Sequence, residues 1–272
     1  MREDEKSSSL SFCQFLLTHE FLSGAYDMTE FVPSCYEERL SSYLSDYGIE
    51  ATSEQVLGLL KHLELVIEKN KVVNLTRITN VEDALVLHIL DSLLPLTLPE
   101  VSERLSKAYL DMGTGAGFPG IPIGLLSGSQ GVLIDSVGKK ISAVNEFCSE
   151  LGLENVHGEH GRLEELAVTH RNEFGLVFAR AVAQANILVE YATPFLAKNG
   201  LLVLEKANPE MSEINASNKA AKICGLRMLE PVEFELPDNL GHRTILLYVK
   251  DSQASIKLPR RTGLAKQSPL GV

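Results

Sequence analysis

A chain of 272 residues with 44% apolar content is long enough to bury a sizeable core, as one large domain or a core with an appendage, and this excludes a disordered or fibrous class. The net charge of −11 argues less strongly against a nucleic-acid partner than its size suggests, because residues 1–68 hold 13 Asp and Glu against 4 Lys and Arg, leaving the remainder near neutral. The cysteines Cys13, Cys35, Cys148 and Cys224 lie far apart without CxxC spacing, which argues against a zinc site or a disulfide framework, so no metal is expected. No run approaches a membrane span and the first residues lack the apolar core of a leader, so a soluble cytoplasmic protein without membrane contact is expected.

Residues 1–34 read as an N-terminal extension whose order the sequence does not set. A helical region follows over 35–100. A short helix is expected at 37–47. Thr52 and Gln55 then form a capping-box pair ahead of Val56, Leu59, Leu60, Leu63, Val66 and Ile67 at helical spacing. Thr79 with Glu82, or Asn80 with Asp83, caps a further helix ending near Pro95, whose apolar residues cover most of its circumference. Within it His88, Asp91 and Ser92 fall on one stripe. Two readings stand: the three satisfy one another and cap a neighbouring loop, or they face the mouth of a ligand cleft near Asn74, Thr76 and Arg77.

Residues 101–251 alternate as an α/β domain should. The stretch LDMGTGAGFPGIPI at 110–123 reads as a strand, a ligand loop and a helix start, with Pro119 suited to the first turn. Gly113, Gly115 and Gly117 give GxGxG, as in S-adenosylmethionine enzymes. Gly115, Gly117 and Gly120 give the dinucleotide pattern GxGxxG, so the spacing leaves both cofactors open. A second strand at 131–135 ends in Asp135, a carboxylate suited to the ribose hydroxyls of either. Ser136, Val137 and Gly138 follow it, with Leu163 and Glu164 after a third strand near 154–156. Further elements are a helix at 139–152, strands at 175–178 and 201–205, and helices at 184–198 and 208–224. Strands at 227–235 and 243–249 close the domain as an antiparallel hairpin. The tail at 252–272 holds Lys257, Arg260, Arg261 and Lys266 and no acidic residue, which suits either a solvated end or an RNA contact.

DMGTGAGFPGIP, then IDSVGKK and FARAVA, with NLTRIT and HILDSL upstream and the ending PRRTGLAKQSPL, resemble the RsmG (GidB) family of small-subunit rRNA methyltransferases. The resemblance implies a Rossmann-like class I S-adenosylmethionine-dependent methyltransferase. Its seven-stranded sheet would be mostly parallel, with the last strand antiparallel, behind a helical N-terminal region. It also implies methylation of N7 of guanine 527, in the 530 loop of 16S rRNA. Carried onto this chain, the cofactor contacts fall on Gly113 and Phe118, on Asp135, Ser136 and Val137, on Leu163 and Glu164, and on Arg180; Asp111, Gly115 and Gly117, from the glycine-rich stretch itself, are further cofactor candidates. Phe118 stands where the family pattern has leucine, and an apolar contact survives the change.

Guanine N7 has an in-plane lone pair and no proton, so in-line methyl transfer needs neither a general base nor a covalent intermediate, and catalysis can rest on placement. Arg180 is the leading candidate, bound to the cofactor carboxylate or an RNA phosphate, with a strand-end salt bridge as the competing reading. Asn74, His88 and Asp91 are expected to shape the guanine pocket, and Lys206 to lie at its rim or simply in solvent. Lys257, Arg260, Arg261 and Lys266 are expected to meet RNA. The partner would be 16S rRNA or the small ribosomal subunit, and the protein a monomer. An NAD(P)-dependent oxidoreductase using Gly115, Gly117, Gly120 and Asp135 is the enzymatic alternative, disfavoured because Tyr191 and Lys198 lack Tyr-xxx-Lys spacing. A non-catalytic ribosome-binding module is the other.

Overall fold

The computed structural model describes residues 32–272, so nearly all of the expected extension lies outside the described residues. Helix α1 spans Glu37–Asp46 and α2 spans Ser53–Asn70. The α2 capping box forms as expected, with the Gln55 amide donating to Thr52 Oγ1 at 3.2 Å and the Thr52 amide to Gln55 Oε1 at 2.9 Å. The third helix, α3, runs through Val81–Ala84, a π-helical Leu85–Leu90 and Asp91–Leu93. Its cap is Asn80, which accepts from the Asp83 amide at 3.0 Å.

Among the described residues eight strands form one sheet: β1 Tyr109–Met112, β2 Gly131–Asp135, β3 Val156–His160, β4 Phe174–Arg180, β5 Leu196–Lys206, β6 Leu226–Met228, β7 Val232–Glu235 and β8 His242–Lys250. The order is β3-β2-β1-β4-β5-β8-β6, with β7 also on β8. The first five strands pair in parallel, and β8 runs antiparallel to β5, β6 and β7. The sheet exceeds the expected seven strands because one expected element became two. The stretch 227–235 divides around Pro231, which has no amide for the ladder, and both halves pair with β8.

Along β5 the side chains alternate between two cores: Leu201 and Val203 pack with α1, α2 and α3, and with α4 (Gly120–Ser127) and α5 (Gly138–Glu150), while Leu202 and Leu204 pack toward the opposite layer. That layer holds the short α6 (Leu163–Leu166), α7 (Ala185–Ala192) and α8 (Met211–Cys224). A strand buried on both faces explains the unbroken apolar run LLVL.

Several boundaries differ from expectation, among them a β5 that starts at Leu196 instead of 201 and an α8 that starts at Met211 instead of 208. The third strand begins at Val156 and continues to His160, and the helix expected over 184–198 ends at Ala192. Pro194 stops that helix, and the chain enters β5 at Leu196.

Residues 252–272 are packed onto the domain. Leu258 and Ala265 are buried, the second in α9 (Leu264–Gln267), so apolar residues spaced among the cations seat the segment. Cys148 and Cys224 are buried free thiols. Cys35 is disulfide-bonded, contrary to the expectation, since separation along the chain does not limit approach in space.

Candidate active site

The carboxyl ends of β1, β2 and β4 meet where the strand order reverses direction between β1 and β4, the usual place for a ligand crevice in such sheets. The glycine loop leaves β1 there. Its first turn is tight: Gly113 has φ +77°, and a Cβ on it would stand 2.6 Å from Val182 Cγ2. Gly115 differs. Its φ is +59°, yet a Cβ there would meet only the Gly113 carbonyl oxygen, at 4.0 Å, so its outer side is open. Gly117, at φ +93°, turns the chain toward α4.

Asp135 closes the other wall. Its carboxylate accepts from the Gly115 amide at 3.2 Å and the Val137 amide at 2.9 Å, which locks the β1 loop to the end of β2. Ser136 and Val137 are exposed beside it. Asp111 lies beneath the loop, fully buried, and accepts from the Gly120 amide at 3.0 Å. Burial pushes its carboxyl up to about 6.

Under the loop sits a ring stack that spacing did not predict. Phe118 packs against His62 at 4.5 Å and lies parallel to His88 at 4.6 Å, with the Arg180 guanidinium 5.6 Å from the ring centre. The Phe118 side chain is therefore occupied by protein, leaving the loop backbone toward the cleft. His62 Nε2 donates to the Ala116 carbonyl at 3.0 Å, and His88 Nε2 bonds Thr76 Oγ1 at 2.8 Å. Burial pushes both imidazoles down to about 3, with Arg180 adding to the effect on His88. Both are neutral at physiological pH.

Beside the stack lies a buried charge cluster. Arg180 Nη1 donates to Asp91 Oδ2 and to the Leu87 carbonyl, each at 3.0 Å, leaving Nε and Nη2 without an acceptor among the described residues. Arg243 Nε donates to Asp91 Oδ1 at 2.6 Å, a partner 152 residues away that no motif announced. Ser92 turns back to donate to the His88 carbonyl at 2.5 Å, so His88, Asp91 and Ser92 have separate partners. Glu205, beside Arg180 in the β4–β5 register, is 3% exposed, and neither of its carboxyl oxygens has a hydrogen-bond partner among the described residues. Burial and then the nearby Asp91 push its carboxyl well above the usual range, against the pull of Arg180 and Arg243.

The other expected residues fall in different places. Asn74 is exposed, in the segment that carries Thr76. Leu163 and Glu164 begin α6, and Glu164 Oε1 accepts from the Gly263 amide at 2.8 Å. Lys206 is partly exposed and held in place: its ammonium donates to the Ala183 carbonyl at 3.0 Å and pairs with Glu213 at 2.7 Å, gripping the turn after β4. Arg260 is likewise partly exposed and engaged, bound to both oxygens of Glu190 and to the Ser268 carbonyl. Lys257, Arg261 and Lys266 are exposed. Among the described residues no group of three or more His, Cys, Asp or Glu could hold a metal ion, and no helix is long and apolar enough to cross a membrane.

Residues 55–240 match the family model GidB, described as rRNA small subunit methyltransferase G. The chain is 35% identical over 232 residues to the ribosomal RNA small subunit methyltransferase G of Lactococcus lactis, covering 84% of this chain and 97% of that protein. To the protein of the same name from Staphylococcus epidermidis it is 36% identical over 235 residues, with 86% and 98% covered. In fold it is similar to an O-methyltransferase from Bacillus cereus solved in complex with SAH, with a TM-score of 0.52 and 17% identity over 78% of this chain and 97% of that one.

Proposed function

The chain belongs to the GidB family of small-subunit rRNA methyltransferases, and on that premise we propose that it transfers the methyl group of S-adenosylmethionine to N7 of guanine 527 in the 530 loop of 16S rRNA. The observation that carries the cofactor assignment is the open outer side of Gly115, bonded to Asp135 and next to the exposed Val137. Those features suit an adenosine with an attached amino-acid chain. The loop backbone from Gly113 to Gly117 would lie along the amino-acid part, Asp135 would accept from ribose hydroxyls, and Ser136 and Val137 would flank the adenine. Leu163 would approach from α6. Arg180 has free donors for the ligand's carboxylate.

When bound, the sulfonium supplies an activated methyl group. The chain's own residues have to orient the base, exclude water and take up no proton, because N7 carries none. Asp91 and His88, both buried, act by position: Asp91 sets Arg180 and Arg243, and His88, through Nε2 and its ring face, sets Thr76 and Phe118. Asn74 is free to touch the base or its neighbours. Lys257, Arg261 and Lys266 would meet RNA phosphates, while Lys206 and Arg260 are engaged with protein. The protein would act in the cytoplasm as a monomer.

Incubation with methyl-labelled S-adenosylmethionine and either 16S rRNA or small ribosomal subunits tests the reading. Label recovered as N7-methylguanine at position 527 supports it. Transfer to neither substrate, or to another atom, overturns it.

A further inference from the structure

Gly115 at φ +59° and Gly117 at φ +93° flank Ala116, so the peptide planes around Ala116 join residues whose backbone conformations glycine alone adopts freely. Asp135 holds the Gly115 amide, and the peptide that carries the Ala116 carbonyl is held on its amide side by Thr114 and on its carbonyl side from outside the loop. The Gly117 and Phe118 amides both return to the Thr114 carbonyl, and no acceptor among the described residues receives the Ala116 amide. The Ala116 carbonyl is instead held from the helical layer by His62 Nε2 at 3.0 Å.

We propose that His62 is a positioning residue for the cofactor: by holding the Ala116 carbonyl it orients the loop, and through the rings of Phe118 and His88 it ties that orientation to the segment carrying Thr76. A carbonyl only accepts, so the proton of this bond is on Nε2 and the imidazole serves as a neutral donor. Packing alone does not require it. The other inward residues of α2 are Val56, Leu59, Leu60, Leu63 and Val66, all aliphatic. Phe118 lies 4.5 Å from His62 and 4.6 Å from His88, whose bond to Thr76 Oγ1 reaches a segment that also has the Ile78 amide donating to that hydroxyl at 3.0 Å. The glycine loop and the segment expected to meet the base are thus set by one stack.

The inference rests on the reading of 113–119 as the cofactor loop. Calorimetric titration of S-adenosylhomocysteine into the wild type, His62→Phe and His62→Gln tests it, with filter binding of 16S rRNA to each and a melting curve for each. Phenylalanine keeps the ring and deletes the donor, and it should weaken the nucleoside about five- to tenfold. Glutamine places an amide N–H within reach of Ala116 and should recover most of that loss, with RNA affinity unchanged throughout. A His62→Phe affinity within twofold of wild type overturns the proposal, as does failure of glutamine to rescue, or parallel loss of RNA affinity and thermal stability. If phenylalanine does not fold, His62→Leu carries the same comparison. A wild type that binds no nucleoside overturns the cofactor reading, and the inference with it.

Discussion

Asp91 on α3 and Arg180 at the end of β4 form a buried ion pair at 3.0 Å, with the carboxylate 2% exposed. Arg243 takes its other oxygen at 2.6 Å, so one carboxylate joins the helical layer to two strands that flank β5. Removing it leaves two guanidinium groups unpaired in a poorly hydrated place. Asp91→Ala should cost about 3–5 kcal/mol in urea unfolding. A loss below about 1 kcal/mol would mean that water reaches the arginines freely.

Arg180 itself is expected to bind ligand through Nε and Nη2. Arg180→Ala should weaken S-adenosylhomocysteine by at least tenfold in calorimetric titration and abolish detectable methyl transfer. Arg180→Lys should remain weak, because an ammonium cannot keep Asp91 and also present a planar pair of donors. Unchanged affinity and transfer in Arg180→Ala would remove this residue from the site.

The two glycines separate stability from binding. Gly113→Ala combines φ +77° with a 2.6 Å approach to Val182, so it should destabilise the fold by about 2–5 kcal/mol. Gly115→Ala meets only strain, about 1–2 kcal/mol. Its methyl group points into the open cleft, so it should bind nucleoside poorly while remaining folded. Melting curves beside titrations check both, and a Gly115→Ala variant of normal affinity would contradict the cleft assignment.

Much of this was legible in local pattern. The Thr52–Gln55 capping box, the alternation of strands and helices, and the antiparallel last strand follow from residue spacing, because the forces that set them act within a few residues or one turn. What escaped depends on distant partners. Arg243 opens an apolar strand and reveals its role only when β8 places it on Asp91. His62 and Glu205 sit at inward positions of apolar runs, and that misfit of a polar residue in a buried pattern was the available signal. The π-helical turn around His88 has no sequence mark that we can identify. The 252–272 segment carried its cations visibly, but its seating depends on Leu258, Ala265 and the Arg260–Glu190 pair.

Glu205 gives a pH prediction of definite sign. Its folded-state pKa is raised, so the folded protein holds this proton more tightly than the unfolded chain does. The resulting penalty is absent below the unfolded value, about 4.3, and grows as pH rises toward the folded value. Glu205→Gln stays neutral at all pH and should therefore gain stability over wild type between pH 5 and pH 8. A difference that is flat over this range would show that the carboxyl is not held protonated. His62 and His88 act in the opposite sense, since folded values near 3 withdraw stability as pH falls below about 6.5.

The C-terminal segment should divide into two kinds of cation. Arg260→Ala breaks the buried pair with Glu190 and should cost about 2 kcal/mol or more in unfolding. Alanine at Lys257, Arg261 and Lys266 should leave melting unchanged and weaken RNA binding, reducing the salt slope by about one for each phosphate no longer neutralised. An RNA affinity and salt slope identical to wild type would separate this segment from the substrate.

The most direct measurement maps N7-methylguanine across small-subunit rRNA from cells with the gene, without it, and complemented by the wild type or by Arg180→Ala. The modification should be present at guanine 527 with the gene, missing without it, restored by the wild type and not restored by Arg180→Ala. Persistence of the modification after deletion, or its loss at a different nucleotide, would contradict the proposed reaction.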